Sequence, residues 1–283
     1  MPGRAASGER GEAGATGGTP PLENRAQIRA TYWRVVAFTI GGMLGSLIAA
    51  AVVAALSASG YQSMAPTGQW YGRTFIGMGR GSKRLALTFD DGPNDPHTLR
   101  LLEVLAKHDV RATFFLIGRY VEARPDIVRD LAAAGHVIGN HTYTHPNLIF
   151  ASALQTRTQI EECERALSQA VGGHSRLFRP PFGGRLPATL RVARSLQLQP
   201  VMWSVTGWDW NAPSAEYIEQ RVSKQIRGGD VILLHDGDHN CMGADRSQTA
   251  LETDRLIARY KGEGYELVTV PEMMEEPSSV PSR

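Results

Sequence analysis

Two adjacent carboxylates, Asp90 and Asp91, close the apolar run Leu85-Ala86-Leu87-Thr88-Phe89 and precede a turn-forming Gly92-Pro93. Neighbouring side chains diverge in an extended chain, so such a pair can divide two jobs, one carboxylate binding a metal and the other acting as a base. Downstream, Asn140-His141-Thr142-Tyr143-Thr144-His145 offers two imidazoles at i and i+4, a spacing that a helical turn brings onto one face. Two imidazoles and one carboxylate make a three-donor set that leaves a metal position open for water, as catalytic sites require. Either piece alone reads equally well as a strand-end turn or a pair of surface histidines. Together, and with the segments below, they point to metal-assisted hydrolysis.

Arg179-Pro180-Pro181-Phe182-Gly183 is a rigid segment in which two prolines hold the backbone extended and Gly183 permits a tight turn. Arg179 can then aim a fixed positive charge at a carboxylate such as Asp90. Trp208-Asp209-Trp210 sets a carboxylate between aromatics, and His235 ends the apolar run Val231-Ile232-Leu233-Leu234. Pairing Asp209 with His235 would raise the imidazole pKa and make it a general acid suited to an amine leaving group. Trp210 and Leu233 can wall a small apolar pocket, whereas Trp203 reads as core. Among the remaining histidines, His97, His108 and His174 read as surface residues and His136 as a packed core residue. His239 has only its place in the loop 236–246, beside Asp238 and Cys241, to recommend it as a site residue.

The elements that must position these groups alternate along the chain. Strands are expected at Arg84–Phe89, Ala112–Ile117, Val137–Asn140, Leu177–Arg179, Pro200–Ser204, Val231–His235 and Glu266–Val270. Helices are expected at Pro96–His108, Val121–Ala134, Ile149–Ala170, Pro187–Leu196, Ala215–Arg227 and Gln248–Glu263, with Gly135 and Gly228-Gly229 where C-caps belong. This is α/β alternation around a parallel sheet, with a strand count that fits an incomplete seven-stranded barrel better than an eightfold one. Asp90, His141, Arg179, Asp209 and His235 all fall at or just after strand C-termini, the ends that converge on one mouth in such a barrel.

With 42% hydrophobic and 20% charged residues in 283, the chain has an ordinary globular composition, and a net charge of +2 without a basic stripe argues against nucleic acid. The N-terminus differs. Residues 1–34 are poor in large apolar side chains and are expected to form a disordered cytoplasmic tail. Residues 35–58 carry no charge and are long enough to cross a bilayer. Arg25, Arg29 and Arg34 precede this stretch and no charge follows until Arg73, so the remainder is expected outside the cytoplasm. An uncleaved signal anchor is favoured over a cleaved signal peptide, for which Ser57-Ala58-Ser59 would be the cleavage region. A Gly-rich linker is expected over 59–82 and a flexible tail over 274–283. Cys163 and Cys241 neither require nor exclude a disulfide.

In this order, Thr-Phe-Asp-Asp-Gly-Pro, His141-Thr-Tyr-Thr-His145, Arg-Pro-Pro-Phe-Gly, Asp-Trp and Leu-Leu-His resemble the five motifs of the polysaccharide deacetylases, carbohydrate esterase family four with its NodB-homology domain. The resemblance covers about residues 83–273. It implies a distorted (β/α) barrel and a metal-dependent hydrolase that removes acetyl groups from N-acetylglucosamine-type glycans. By motif position it makes Asp90 the base, Asp91, His141 and His145 the metal ligands, and His235 the acid. Asp209 would tune His235, Arg179 would position Asp90, Trp210 and Leu233 would hold the acetyl methyl, and the Phe182 backbone N–H would face the oxyanion. Zinc suits the ligand set, although cobalt or nickel would also be accepted. Two departures from the family pattern stand out: Thr206 where many members carry a further Asp, and Phe182 in place of the commoner Tyr. The expected partners are an acetylated glycan (peptidoglycan, chitin-like or exopolysaccharide) and the membrane, with no obligate protein partner. Rival readings are an O-acetyl esterase acting on a substrate such as acetyl-xylan, a silent glycan-binding module, and a metal phosphohydrolase; the last lacks a phosphate-cradling loop.

Overall fold

The computed structural model describes residues 22–275; of the tails expected at 1–34 and 274–283, residues 1–21 and 276–283 lie outside the described residues, while Met274 and Glu275 close a helix instead. The chain divides into two units after Ser57. The first, over its described residues, is part of one helix, α1 (Leu22–Met64), long and apolar enough to cross a membrane by length and composition. This corrects the reading of 22–34 as tail. Leu22-Glu23-Asn24-Arg25-Ala26-Gln27 are adequate helix formers, and extending an existing helix avoids the cost of nucleating one.

The second unit is built on parallel strands β1 (Arg84–Asp90), β2 (Thr113–Leu116), β3 (Val137–Asn140), β4 (Leu177–Phe178), β5 (Gln199–Pro200), β6 (Val205–Thr206) and β7 (Asp230–His235). They are ordered β5-β4-β3-β2-β1-β7-β6, with a short β8 (Glu266–Leu267) pairing to the start of β1. The strand expected at 200–204 is instead the link between two short strands, β5 ending at Pro200 and β6 starting at Val205. Val201 N donates to Phe178 of β4 while Ser204 N donates to Val231 of β7, so one segment spans from one sheet edge to the other and breaks on the way. The result is a curled, incompletely closed seven-strand barrel, as the sequence led us to expect.

β1 is buried along nearly its whole length, which is why it reads as an unbroken apolar run rather than an alternating one. Helices α2 (His97–Lys107), α3 (Gly118–Ala123), α4 (Pro125–Ala133), α5 (Ala153–Val171), α6 (Pro187–Ser195), α7 (Ala215–Gln225), α8 (Ser247–Gly262) and α9 (Val270–Glu275) follow the strands. α2 buries Thr98, Leu101 and Leu105, one stripe of a 3.6-residue period. The single helix expected at 121–134 is interrupted because Pro125 forces Arg124 out of helical geometry, at φ −134° and ψ 60°. Ser152 and Gln155 form a reciprocal capping box that starts α5.

The stretch expected as a loose linker, 59–82, is packed into the second unit. Phe75 N donates to Pro200 O, Met202 N to Phe75 O and Met78 N to Gly229 O, at 2.9, 2.7 and 2.7 Å. A strap that supplies hydrogen bonds to the exposed edge at β5 is not free to act as a spacer.

Candidate active site

Strand register fixes the first contacts. Asp90 is the last residue of β1, opposite Phe115 near the end of β2 and His235 at the end of β7. Asp90 continues the strand, but Asp91 turns into the left-handed region at φ 73°. The two carboxylates therefore leave the backbone in different directions. Both are buried, at 3% and 5% exposure.

Asp90 Oδ1 accepts a hydrogen bond from Arg179 Nη1 at 2.7 Å. Arg179 is fully buried, and its other donors are taken by Thr88 Oγ1 and the carbonyls of Val201 and Met202, with its guanidinium lying over Phe115. A buried ion pair with its remaining donors satisfied is held in one geometry. Asp90 Oδ2 is left facing His141 Nε2 at 3.6 Å.

His141 Nδ1 donates to the carbonyl of Arg179 at 2.7 Å, which leaves Nε2 turned toward Asp91 Oδ1, 3.5 Å away. His145 Nε2 lies 3.2 Å from the same oxygen. No helical turn joins the two histidines. The segment is an irregular loop with Thr142 and His145 left-handed, pinned by Asn140 Oδ1 on Thr142 N and Thr142 Oγ1 on His145 N. The i, i+4 spacing converges through this loop, so the helical expectation was wrong although the pairing was right.

The three donors fit a metal. They lie within 4.8 Å of one another, and the two edges through Asp91 are close to the roughly 3.4 Å separating tetrahedral ligands whose bonds are about 2.1 Å long. Asp91 Oδ1 is buried without a hydrogen-bond partner, an expensive arrangement that an ion would relieve. Burial alone would raise the Asp91 carboxyl, but the closeness of His141 and His145 outweighs it and holds it well below the usual range. Burial lowers His145 to about 3, keeping its imidazole neutral as ligation needs. The donor set and the fold together indicate a divalent metal.

Across the cavity, His235 Nδ1 donates to Asp209 Oδ1 at 2.9 Å, and Asp209 Oδ2 accepts from His235 N and Thr249 Oγ1 at 2.6 and 2.9 Å. Burial would depress this imidazole, but the Asp209 charge and hydrogen bond overcome it and raise the group to about 9. Trp210 meets the His235 ring edge-on at 5.0 Å between centroids. Phe182, left-handed at φ 56°, sets its ring against His145. Thr206 accepts from Trp208 N with its hydroxyl, helping to hold the turn that presents Asp209.

A cavity of about 250 Å³ brings these groups together: Asp90, Asp91, His141, His145 and His235 line it with Phe182, Trp210 and Leu233. Arg179 and Asp209 stand behind Asp90 and His235 as partners of lining residues. The cavity is also lined by Trp203, Asp238, His239 and Arg246, of which the sequence had placed Trp203 in the core and passed over Arg246. His239 stacks on His145 at 4.6 Å and lies 4.0 Å from Asp91, so its loop position was the useful signal. Asp236, beside His235, was missed. It is fully buried against Thr98 Oγ1, and burial raises its carboxyl to about 7. His136 is the packed residue expected, accepting from Ala112 N. His97, His108 and His174 are half-buried partners of Asp245, Asp254 and Glu164 rather than free surface groups. Cys163 is buried and Cys241 exposed, and both are free.

A curled parallel barrel with this site at its strand C-termini defines a class, and comparison with known proteins identifies it. The family model for polysaccharide deacetylase matches residues 78–201. A peptidoglycan-N-acetylglucosamine deacetylase of Bacillus cereus is 39% identical over 191 residues, 68% of this chain and 68% of that protein. A chitooligosaccharide deacetylase of Sinorhizobium fredii is 38% identical over 208 residues, 71% of this chain and 97% of the other. Among solved structures, the Bc1960 peptidoglycan N-acetylglucosamine deacetylase in complex with 4-naphthalen-1-yl-N-oxidanyl-benzamide aligns with a TM-score of 0.68 at 35% identity, covering 73% of this chain and 95% of that one. This chain belongs to the polysaccharide deacetylase family.

Proposed function

We propose that this protein is a metal-dependent N-deacetylase of N-acetylglucosamine-containing cell-surface or cell-wall polysaccharide. The observation that carries the reading is the placement, around one cavity, of a metal donor set with an oriented carboxylate on one side and an Asp-paired imidazole on the other. Asp91, His141 and His145 are the residues that would hold the ion, for which zinc is the preferred assignment. When bound, the ion would supply Lewis acidity toward the amide carbonyl and lower the pKa of a water.

The protein's own groups then account for the proton transfers. Asp90, oriented through Oδ1 by Arg179, takes the proton of the attacking water on its free oxygen. The Phe182 backbone N–H stabilises the oxyanion that develops as water adds to the carbonyl. His235, held through Nδ1 by Asp209 and protonated at neutral pH, delivers a proton to the sugar nitrogen as the C–N bond breaks. Water and amide thus become acetate and a free amine. Leu233 and Trp210 offer the apolar wall for the acetyl methyl. An amine departs poorly without a proton, and a histidine raised to about 9 suits an amide better than an ester, which has an easier leaving group.

We further infer that α1 acts as a signal anchor that keeps the chain in the cell membrane with the barrel on the extracytoplasmic side, released only if cleavage occurs near Ser57–Ser59. The uncharged stretch with arginines on one side supports this. Recovery of the intact chain wholly in the cytosolic fraction would refute it. The deacetylase reading is tested by acetate release from N-acetylated peptidoglycan, chitin oligomers and exopolysaccharide beside O-acetylated xylan, using zinc-reconstituted protein. Metal-dependent release from the amides is expected. Turnover of the ester alone would overturn it.

A further inference from the structure

Arg185 follows the Arg179–Gly183 segment and is 1% exposed, among the largest fully buried side chains of the protein. Its hydrogen-bond acceptors are main-chain carbonyls on two separate pieces of chain. Nη1 donates to Gly183 O at 2.9 Å, while Nη2 donates to Ala65 O and Gly68 O at 2.7 and 2.6 Å. Its backbone N–H donates to Ser63 O at 2.9 Å. Ser63, Ala65 and Gly68 belong to the last turn of α1 and the loop that follows. That stretch is knotted in turn by Tyr71, whose hydroxyl reaches Ser59 Oγ at 2.6 Å and Ser63 Oγ at 3.3 Å. The Met64 carbonyl lies beneath Gly183, 3.6 Å from where a Cβ would sit.

The other end of this connection is the turn Pro181–Gly183. Phe182 holds φ 56° there, a conformation a bulky residue keeps only when its surroundings over-determine it. The same turn sets the Phe182 ring on His145 and carries the Phe182 N–H. A guanidinium is the side chain that can grip carbonyls on two segments at once, through a planar fork of donors.

We propose that Arg185 is a positioning residue that fastens the Ser59–Tyr71 segment to the Phe182 turn, making chain that precedes the barrel a working part of the active site. This rests on the deacetylase reading, in which the Phe182 N–H faces the oxyanion. Because that group matters in the transition state and little in the bound substrate, loosening the turn should lower kcat and leave KM nearly unchanged.

The experiment compares full-length Arg185→Lys with the parent, both zinc-loaded, for acetate release from N-acetylated chitin oligomers, with metal content and unfolding midpoint measured in parallel. Lysine keeps the charge but cannot span the two segments. A fall in kcat of about 10- to 100-fold, with KM within about threefold and metal content unchanged, is expected. A kcat within twofold of the parent, or a raised KM with kcat kept, overturns the proposal. Should Arg185→Lys not accumulate folded, Tyr71→Phe, which loosens the segment from its far side, is judged by the same kcat and KM split. A parent without metal-dependent activity would instead remove the deacetylase reading, so the two failures are distinguishable.

Discussion

Replacing Asp209 by Asn tests the acid assignment through its pH dependence. His235 is raised from an ordinary 6.5 to about 9, against a burial effect that works the other way, chiefly by the charge of Asp209 and then by its hydrogen bond to Nδ1. A group acting as an acid must be protonated, so activity of the parent should be flat through neutrality and fall as pH rises through about 9. With the Asp209 charge gone, burial remains and the raising influence shrinks to the more distant Asp91 and Asp90, so the imidazole should titrate near or below 6.5. If it returns only to 6.5, the protonated fraction drops by about 1.3-fold at pH 6, about fourfold at pH 7 and about 160-fold at pH 9. The assay is the kcat/KM profile of acetate release from pH 5.5 to 10, with metal content checked at each end. The alkaline limb should move down by about two to three pH units, equivalent to about 3 to 4 kcal/mol at 1.36 kcal/mol per unit. A uniform loss at every pH, with the limb left in place, would refute His235 as the acid tuned by Asp209.

Other perturbations separate the remaining roles. Asp90→Asn should retain metal, because Asp90 lies outside the donor triad, while kcat falls by about 10²–10⁴; parallel metal analysis and turnover check this. His141→Ala and His145→Ala should each weaken metal binding, measured by competition with a chelator, and chelation of the parent should abolish activity that zinc or cobalt then restores. Arg179→Met leaves Asp90 buried beside no cation of its own, so urea unfolding should show a loss of about 3–5 kcal/mol.

Much of this site was legible because its residues sit at strand ends, where periodicity gives the position and residue type gives the chemistry. β1, β3 and β7 were read to within a residue, and with them Asp90, His141 and His235. What escaped depends on tertiary context. The break between β5 and β6 exists because one short segment must serve two sheet edges, and nothing local signals that. The His141–His145 loop was misread as a helical turn because spacing alone cannot reveal that Thr142 and His145 are left-handed. Arg246 looked like an ordinary charge ahead of a helix. It lines the cavity because the loop before α8 folds back, its guanidinium held by Gly237 O and Asp238 Oδ2. The stretch 59–82 was taken for a linker because its glycines suggest flexibility. Gly77 is there instead for close approach, since a side chain would collide with the Gly229 carbonyl.

The different roles proposed for the adjacent aspartates rest on backbone geometry rather than residue identity. Asp90 and Asp91 have the same functional group, similar burial and consecutive positions. One change of sign in φ at Asp91 sends its carboxylate to the two imidazoles, where one oxygen is left without a hydrogen bond and so remains available to a cation. Asp90, still in the strand, meets Arg179 because β1 and the end of β4 open onto the same mouth. The guanidinium occupies one oxygen and leaves the other on the cavity side, beside His141. A carboxylate already committed to an arginine makes a poor additional ligand but a well-oriented base, whereas one between two imidazoles with an oxygen free of hydrogen bonds makes the reverse. The division of labour proposed for the pair therefore follows from the end of one strand and the turn after it.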